Sequence, residues 1–147
     1  CHGNICRSTM AQYVMQHLIN QRGLADSFYI DSAATSTEEI GNGVHRGTRK
    51  KLGEMGIYCG DHRAVQLRKS DYDKYDYIVG MDGWNRRNML RILGADPEGK
   101  VSLLLDFTDH PRDIADPWYT GNFDATYEDV LEGCEALLAH ILKEDMA

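Results

Sequence analysis

Apolar positions recur along this chain in two rhythms, one helical and one extended, and their alternation sets the predicted architecture. Met10, Val14 and Leu18, with Ala11 and Met15, fall at helical spacing, which predicts a helix from Ser8 to about Arg22 with Gly23 as its stop. Phe28-Tyr29-Ile30 predicts a short strand running into Asp31-Ser32-Ala33-Ala34-Thr35. After a polar, glycine-bearing loop, Thr48 to Met55 predicts a shorter helix closed by Gly56. Tyr77-Ile78-Val79 has the pattern of a buried strand, and Asp82 after it is a suitable N-cap for a helix through Leu93. Val101 to Leu105 is apolar almost throughout, as a strand covered on both faces should be. The last predicted helix runs from Thr126 to Lys143, with Val130, Cys134, Leu137, Leu138 and Ile141 inward and Thr126 with Asp129 resembling a capping box. Strands alternating with helices predict an α/β domain with a parallel sheet and crossover helices. No repeat or linker divides the chain, so one domain is expected over residues 1–147.

Composition narrows the class without changing the fold. A chain of 147 residues, 42% hydrophobic and 27% charged, is long enough for one core that needs no staples. No apolar run approaches the ~20 residues of a membrane-spanning helix. The opening Cys-His-Gly-Asn lacks the basic start and apolar stretch of a signal peptide, so no membrane partner is expected. Cys1, Cys6, Cys59 and Cys134 are too few and scattered for a secreted disulfide framework, which reads as a cytoplasmic protein. The formal charge of −7 argues against nucleic acid as a partner and requires any phosphate site to gather positive potential locally.

The segment Cys1-His2-Gly3-Asn4-Ile5-Cys6-Arg7-Ser8 carries the candidate chemistry. A loop that wraps backbone N–H groups around a phosphate needs residues tolerant of unusual φ, and Gly3 and Asn4 supply them. The helix beginning near Ser8 aims its unpaired N–H groups and dipole at the same point. Those dipoles stabilise a thiolate as well as a phosphate, so the Cys1 thiol is expected to ionise readily. Arg7 offers a planar fork that matches two oxygens of a phosphoryl group. The Ser8 hydroxyl is placed to steady the sulfur as a leaving group. A second element lies far away, at Asp116-Pro117-Trp118-Tyr119. A carboxyl between aromatics suits a general acid that protonates a departing oxygen and then serves as base toward water.

Taken together, Cys1 to Ser8, Asp31-Ser32-Ala33-Ala34-Thr35-Ser36, Tyr77-Ile78-Val79-Gly80-Met81-Asp82 and Asp116-Pro117-Trp118-Tyr119 resemble, in order, the low-molecular-weight protein tyrosine phosphatases. The resemblance covers nearly the whole chain. It implies a three-layer α/β sandwich with a four-stranded parallel sheet flanked by helices, and no metal or organic cofactor. It implies Cys1 as nucleophile, Arg7 as phosphate clamp and Asp116 as general acid, acting on phosphotyrosine-bearing proteins, with inorganic phosphate or another oxyanion fitting the loop. It also implies that Ser32 and His62 hold Asn4 in its strained conformation, His62 less directly because the segment before it is one residue longer here. Cys6 takes the family's second loop-cysteine position, where a protective disulfide with the nucleophile and a merely packed thiol are both open readings. Cys59 and Cys134 read as structural. A strand should precede the loop, so residues upstream of Cys1 are expected to supply it.

The chain also departs from the family. Thr9 stands where a proline is usual, which should loosen the first helical turn. Glu38, followed by Glu39, stands where an aromatic residue often walls the cleft, leaving Trp118 and Tyr119 to contact an aryl group; carboxylates that disfavour acidic flanking sequence and carboxylates that simply point into solvent are both open readings. Two other readings differ in class. An arsenate reductase of the same fold would need further redox cysteines near Asp82-Gly83-Trp84-Asn85-Arg86-Arg87, and none is there. A non-catalytic phosphate-binding module would lack Cys1 or Asp116, and both are present.

Overall fold

The computed structural model describes residues 5–145, with side chains to residue 143, so the loop positions Cys1, His2, Gly3 and Asn4 lie outside the described residues. The first helix, α1 (Arg7–Gln21), turns a continuous apolar face inward, with Met10, Val14 and Ile19 wholly buried. Its chain ends through Gly23, whose φ of 68° lies in the left-handed region that suits glycine after a helix. Helix α2 (Arg46–Glu54) begins two residues before the predicted start. Its cap is unusual: the Gly47 N–H donates to the His45 Nδ1 at 2.9 Å, an imidazole serving where a hydroxyl or carboxyl is commoner.

Strand β1 (Ile78–Gly80) pairs in parallel with β2 (Val101–Leu103), Ile78 opposite Val101. A short helix, α3 (Asp71–Lys74), precedes β1, and α4 (Gly83–Leu93) makes the crossover between the strands. As predicted, Asp82 caps α4, its Oδ1 accepting from the Asn85 N–H at 2.8 Å. The strand predicted over Val101 to Leu105 stops at Leu103. There the Leu103 N–H donates to the Asp106 carboxylate at 2.9 Å, and residues Leu104–Phe107 wind into a 3₁₀ turn.

Two further expectations are corrected. Phe28-Tyr29-Ile30 forms no strand; this stretch is extended but unpaired, and its continuation makes only an isolated parallel bridge, Ala34 with Gln66. Among the described residues the sheet is therefore two-stranded. The final helix, α6 (Phe123–Asp145), starts three residues before the predicted Thr126. Its cap is Asn122, whose Oδ1 accepts from the Ala125 N–H at 3.0 Å. The predicted capping pair is occupied elsewhere, since Thr126 bonds the Ala115 carbonyl at 3.3 Å and Asp129 takes Arg112 at 2.8 Å.

The core forms where α1 and α6 cross behind the sheet, joining Met10, Val14, Leu104, Leu105, Val130 and Leu138. Gly133 makes this approach possible, because a Cβ there would lie 2.5 Å from Leu104 Cγ. Burying each of these large side chains is worth roughly 1.5–3 kcal/mol, so the α1–α6 seam anchors the part of the molecule on which Arg7 is mounted. No helix among the described residues is long and apolar enough to cross a membrane.

Candidate active site

Arg7 opens α1 and is 2% exposed, deep burial for a permanent charge. Among the described residues, the short contacts to that charge gather on its Nη1 group, with Asp116 farther off beside Nη2. The Nη1 group donates to Asp82 Oδ2 at 2.6 Å and to the Ile114 carbonyl at 2.8 Å. The Nη2 group lies 3.5 Å from Asp116 Oδ2, and the buried Nε–H has no acceptor among the described residues. The Nε–Nη2 edge of a guanidinium presents two parallel N–H bonds, the geometry that grips two oxygens of a carboxylate or phosphoryl group. One edge of Arg7 is thus fixed by protein, and the other retains donor capacity for an oxyanion.

Asp82 connects fold and site. One carboxylate oxygen caps α4 while the other holds Arg7. Burial favours its neutral form, but the hydrogen bonds from Arg7 and the Asn85 N–H outweigh that, holding its pKa below the usual carboxylate range. The sequence identified Asp82 as a cap and missed its second partner, which lies 75 residues away in the chain.

The described end of the loop is secured by three donors on one carbonyl. The Met10 N–H at 3.0 Å, the Thr9 hydroxyl at 3.0 Å and the Thr48 hydroxyl at 3.3 Å all reach the Cys6 oxygen. Thr9 therefore does not loosen the first turn as expected; it is fully buried and replaces the stiffness of proline with a hydrogen bond. The Ile5 carbonyl accepts from the His45 N–H at 2.8 Å, so the start of α2 braces the loop from the other side. Ile5, Cys6 and Ser8 are all buried. Burial, with the Asp116 charge adding to it, pushes the Cys6 thiol up to about 12, which keeps it protonated and a poor nucleophile. Cys6, Cys59 and Cys134 are free thiols.

Ser32 and His62 stand side by side, while Asn4, the residue they are expected to hold, lies outside the described residues. The Ser32 hydroxyl donates to Gln12 Oε1 at 2.5 Å and lies 3.3 Å from His62 Nε2. Burial lowers the His62 pKa against the opposing pull of Asp31, favouring a neutral ring. The Tyr13 hydroxyl fixes this segment by accepting from the His62 N–H at 3.1 Å. Gln12 and Tyr13 lie on α1 and were read only as helix positions, so their polar ends gave no signal in the sequence.

Asp116 caps the single-turn helix α5 (Pro117–Thr120), its Oδ1 accepting from the Trp118 N–H at 3.0 Å while Oδ2 faces Arg7. Trp118 is 54% exposed and Tyr119 82% exposed, both on the rim. Glu38 is exposed, and Glu39 is tied into its own loop by the Asn42 side chain at 2.5 Å. Among the described residues no three His, Cys, Asp or Glu side chains are grouped to hold a metal ion. Arg7, Asp82 and Asp116 therefore converge on one spot at the N-terminal end of α1, with Trp118 next to the Asp116 carboxylate.

This arrangement has close counterparts. The family model described as low molecular weight phosphotyrosine protein phosphatase matches residues 1–147. YfkJ of Bacillus subtilis, a low molecular weight protein-tyrosine-phosphatase, is 38% identical over 146 residues, 98% of this chain and 94% of YfkJ. Its crystal structure superposes with a TM-score of 0.94, covering 98% of this chain and 92% of that one. PtpA of Staphylococcus epidermidis, of the same description, is 35% identical over 98% of this chain and 92% of PtpA. Vibrio vulnificus Wzb, solved in complex with benzylphosphonate, is 26% identical and superposes with a TM-score of 0.79 over 93% of this chain and 92% of that one. By the full-length family match and these relatives, the chain belongs to the low molecular weight phosphotyrosine protein phosphatase family and is a protein tyrosine phosphatase.

Proposed function

We propose that this phosphatase, a single domain over residues 1–147, cleaves phosphotyrosine in proteins, and small aryl phosphates, by two displacements at Cys1. The reading includes the family's four-stranded parallel sheet, supported by the fit to the YfkJ crystal structure. In the first step the Cys1 thiolate attacks phosphorus, the bond from phosphorus to the phenolic oxygen breaks, and Asp116 gives that oxygen its proton. In the second, water attacks the phosphocysteine, its proton passes to Asp116, and the sulfur–phosphorus bond breaks to release phosphate and thiolate. The loop amides of residues His2 to Arg7 and the free edge of Arg7 hold the equatorial oxygens. Ser8 steadies the sulfur, and Ser32 with His62 supports Asn4.

The observation that carries this reading is the placement of the Arg7 guanidinium: Nη1 bound to Asp82 and Ile114, Asp116 at 3.5 Å from Nη2, and Nε with no acceptor among the described residues. Benzylphosphonate in Wzb has an aryl ring one methylene from an oxyanion head, the shape that the Trp118 and Tyr119 rim and Arg7 would take here. The test is turnover of para-nitrophenyl phosphate and of paired phosphotyrosine and phosphoserine peptides, without added metal, in wild type, Cys1→Ser and Asp116→Ala. Cys1→Ser should abolish turnover while retaining phosphate binding, and Asp116→Ala should slow the phosphotyrosine peptide by about 10²–10⁴. Residual turnover by Cys1→Ser would remove the mechanism.

A further inference from the structure

Between the loop end and the acid segment stands an aromatic stack of Phe123, His45 and Trp118, of which the reading above uses only Trp118. The His45 ring lies on Phe123 with centroids 5.4 Å apart and planes within 18°. The same ring meets Trp118 edge to face at 5.4 Å and 75°. Trp118 follows Asp116 by two residues and donates its N–H to that carboxylate at 3.0 Å. At the other end, the His45 N–H donates to the Ile5 carbonyl at 2.8 Å, and Phe123 packs against the cluster of Ile5, Cys6 and Ala64. A single residue is thus bonded to the phosphate loop through its backbone and touches the acid segment through its ring.

The ring cannot drift. Its Nδ1 is committed as acceptor to the Gly47 N–H at 2.9 Å, which fixes its plane and places any ring proton on Nε2. Gly47 in turn leaves room for Phe123, since a Cβ there would lie 2.2–2.7 Å from three atoms of that ring. The one-turn helix carrying Trp118 is anchored at its start by the buried Pro117 and by Thr126 on the Ala115 carbonyl, while its two aromatic side chains stand exposed beyond those anchors.

We infer that His45 is a positioning residue for proton transfer: its ring, clamped between Phe123 and Trp118, sets where Asp116 stands relative to the phosphate loop. The inference rests on Asp116 being the general acid. A misplacement of about 1 Å in a reacting group costs on the order of 10²-fold, so a ring contact two residues away is sufficient leverage. The effect should scale with how much the leaving oxygen needs a proton, whereas a merely structural defect lowers all substrates alike.

Two variants separate the functions of this side chain. His45→Asn keeps an acceptor for the helix cap and removes the ring; His45→Phe keeps the ring and removes the cap. The measurement is kcat/KM for a phosphotyrosine peptide and for 2,4-dinitrophenyl phosphate, whose leaving group needs no proton, with melting temperatures alongside. His45→Asn should lose roughly 10- to 100-fold on the peptide and under about threefold on the activated ester. His45→Phe should preserve the ratio between the two substrates, with a lowered melting temperature. Asp116→Ala, measured in parallel, should show the same substrate split in larger form, and adding His45→Asn to it should cost nothing further on the peptide. Equal losses on both substrates in His45→Asn, beside a pronounced split in Asp116→Ala, overturn the positioning role and leave the general acid standing. No split in Asp116→Ala overturns both.

Discussion

Asp82→Asn tests a contact that joins the start of α4 to the anion site. The substitution retains an oxygen for the α4 cap and removes the charge facing Arg7. The lost interaction is a 2.6 Å hydrogen bond between ionised groups. Such bonds contribute about 1.5–3 kcal/mol. Because the Asp82 side chain is 18% exposed and Arg7 only 2%, partial screening by water places the expected loss near the bottom of that range, about 1.5–2 kcal/mol. For a chain of this size that corresponds to a melting temperature lower by about 3–8 °C near neutral pH. The pH dependence identifies the cause. With the folded-state pKa held below its unfolded value, the charge stabilises the fold above about pH 4 and ceases to do so as pH falls through the lower folded value. Thermal scans from pH 7 to pH 3 should therefore show wild type and variant far apart at the top and converging at the bottom. Competitive inhibition by inorganic phosphate should weaken about tenfold, because the guanidinium loses the partner that aims its free edge. A constant gap across the pH range, or tighter phosphate inhibition in the variant, would refute the reasoning; the latter would mean that Asp82 only competes with the oxyanion for charge.

Gly133→Ala should destabilise by about 1–3 kcal/mol, since its Cβ would collide with Leu104, and chemical denaturation should show the loss at an unchanged m-value. Cys6 and Cys134, buried with thiols pushed up to about 12, should resist iodoacetamide at pH 7.5 in the folded protein and react on unfolding, as read by peptide mass spectrometry. Glu38 on the exposed rim should give phosphopeptides with basic flanks a higher kcat/KM than matched acidic ones, an advantage that shrinks with added salt; equal values at low salt would remove Glu38 from substrate choice.

What could be read from residues alone was whatever is settled locally. Asp82 before an apolar period and Gly23 after one marked the ends of α4 and α1 because caps and stops act within a few residues. Phe28-Tyr29-Ile30 is the opposite case: β-type side chains favour extension, but a strand exists only with a partner, and among the described residues none pairs with this segment. The early start of α6 was missed because Asn122 and Thr126 are both respectable caps, and tertiary bonds from Thr126 to Ala115 decide between them. In the site, Arg7 and Asp116 were legible through the chemistry they suit. His45, Thr48 and the second role of Asp82 were not, since each acts on residues between 40 and 75 positions away in the chain and has an unremarkable neighbourhood.

Arg7 belongs to the helix that builds the core, whereas Asp116 rides on four residues of surface helix flanked by exposed rings. Drift in the rim can therefore retune which phosphoproteins are accepted, and how fast they react, with little cost to folding. The anion grip has no such freedom, for a change that disturbs it disturbs the seam of α1 with α6 as well. Variation among enzymes built on this plan should accordingly concentrate around residues 118–122 and leave the buried end of the first helix nearly untouched.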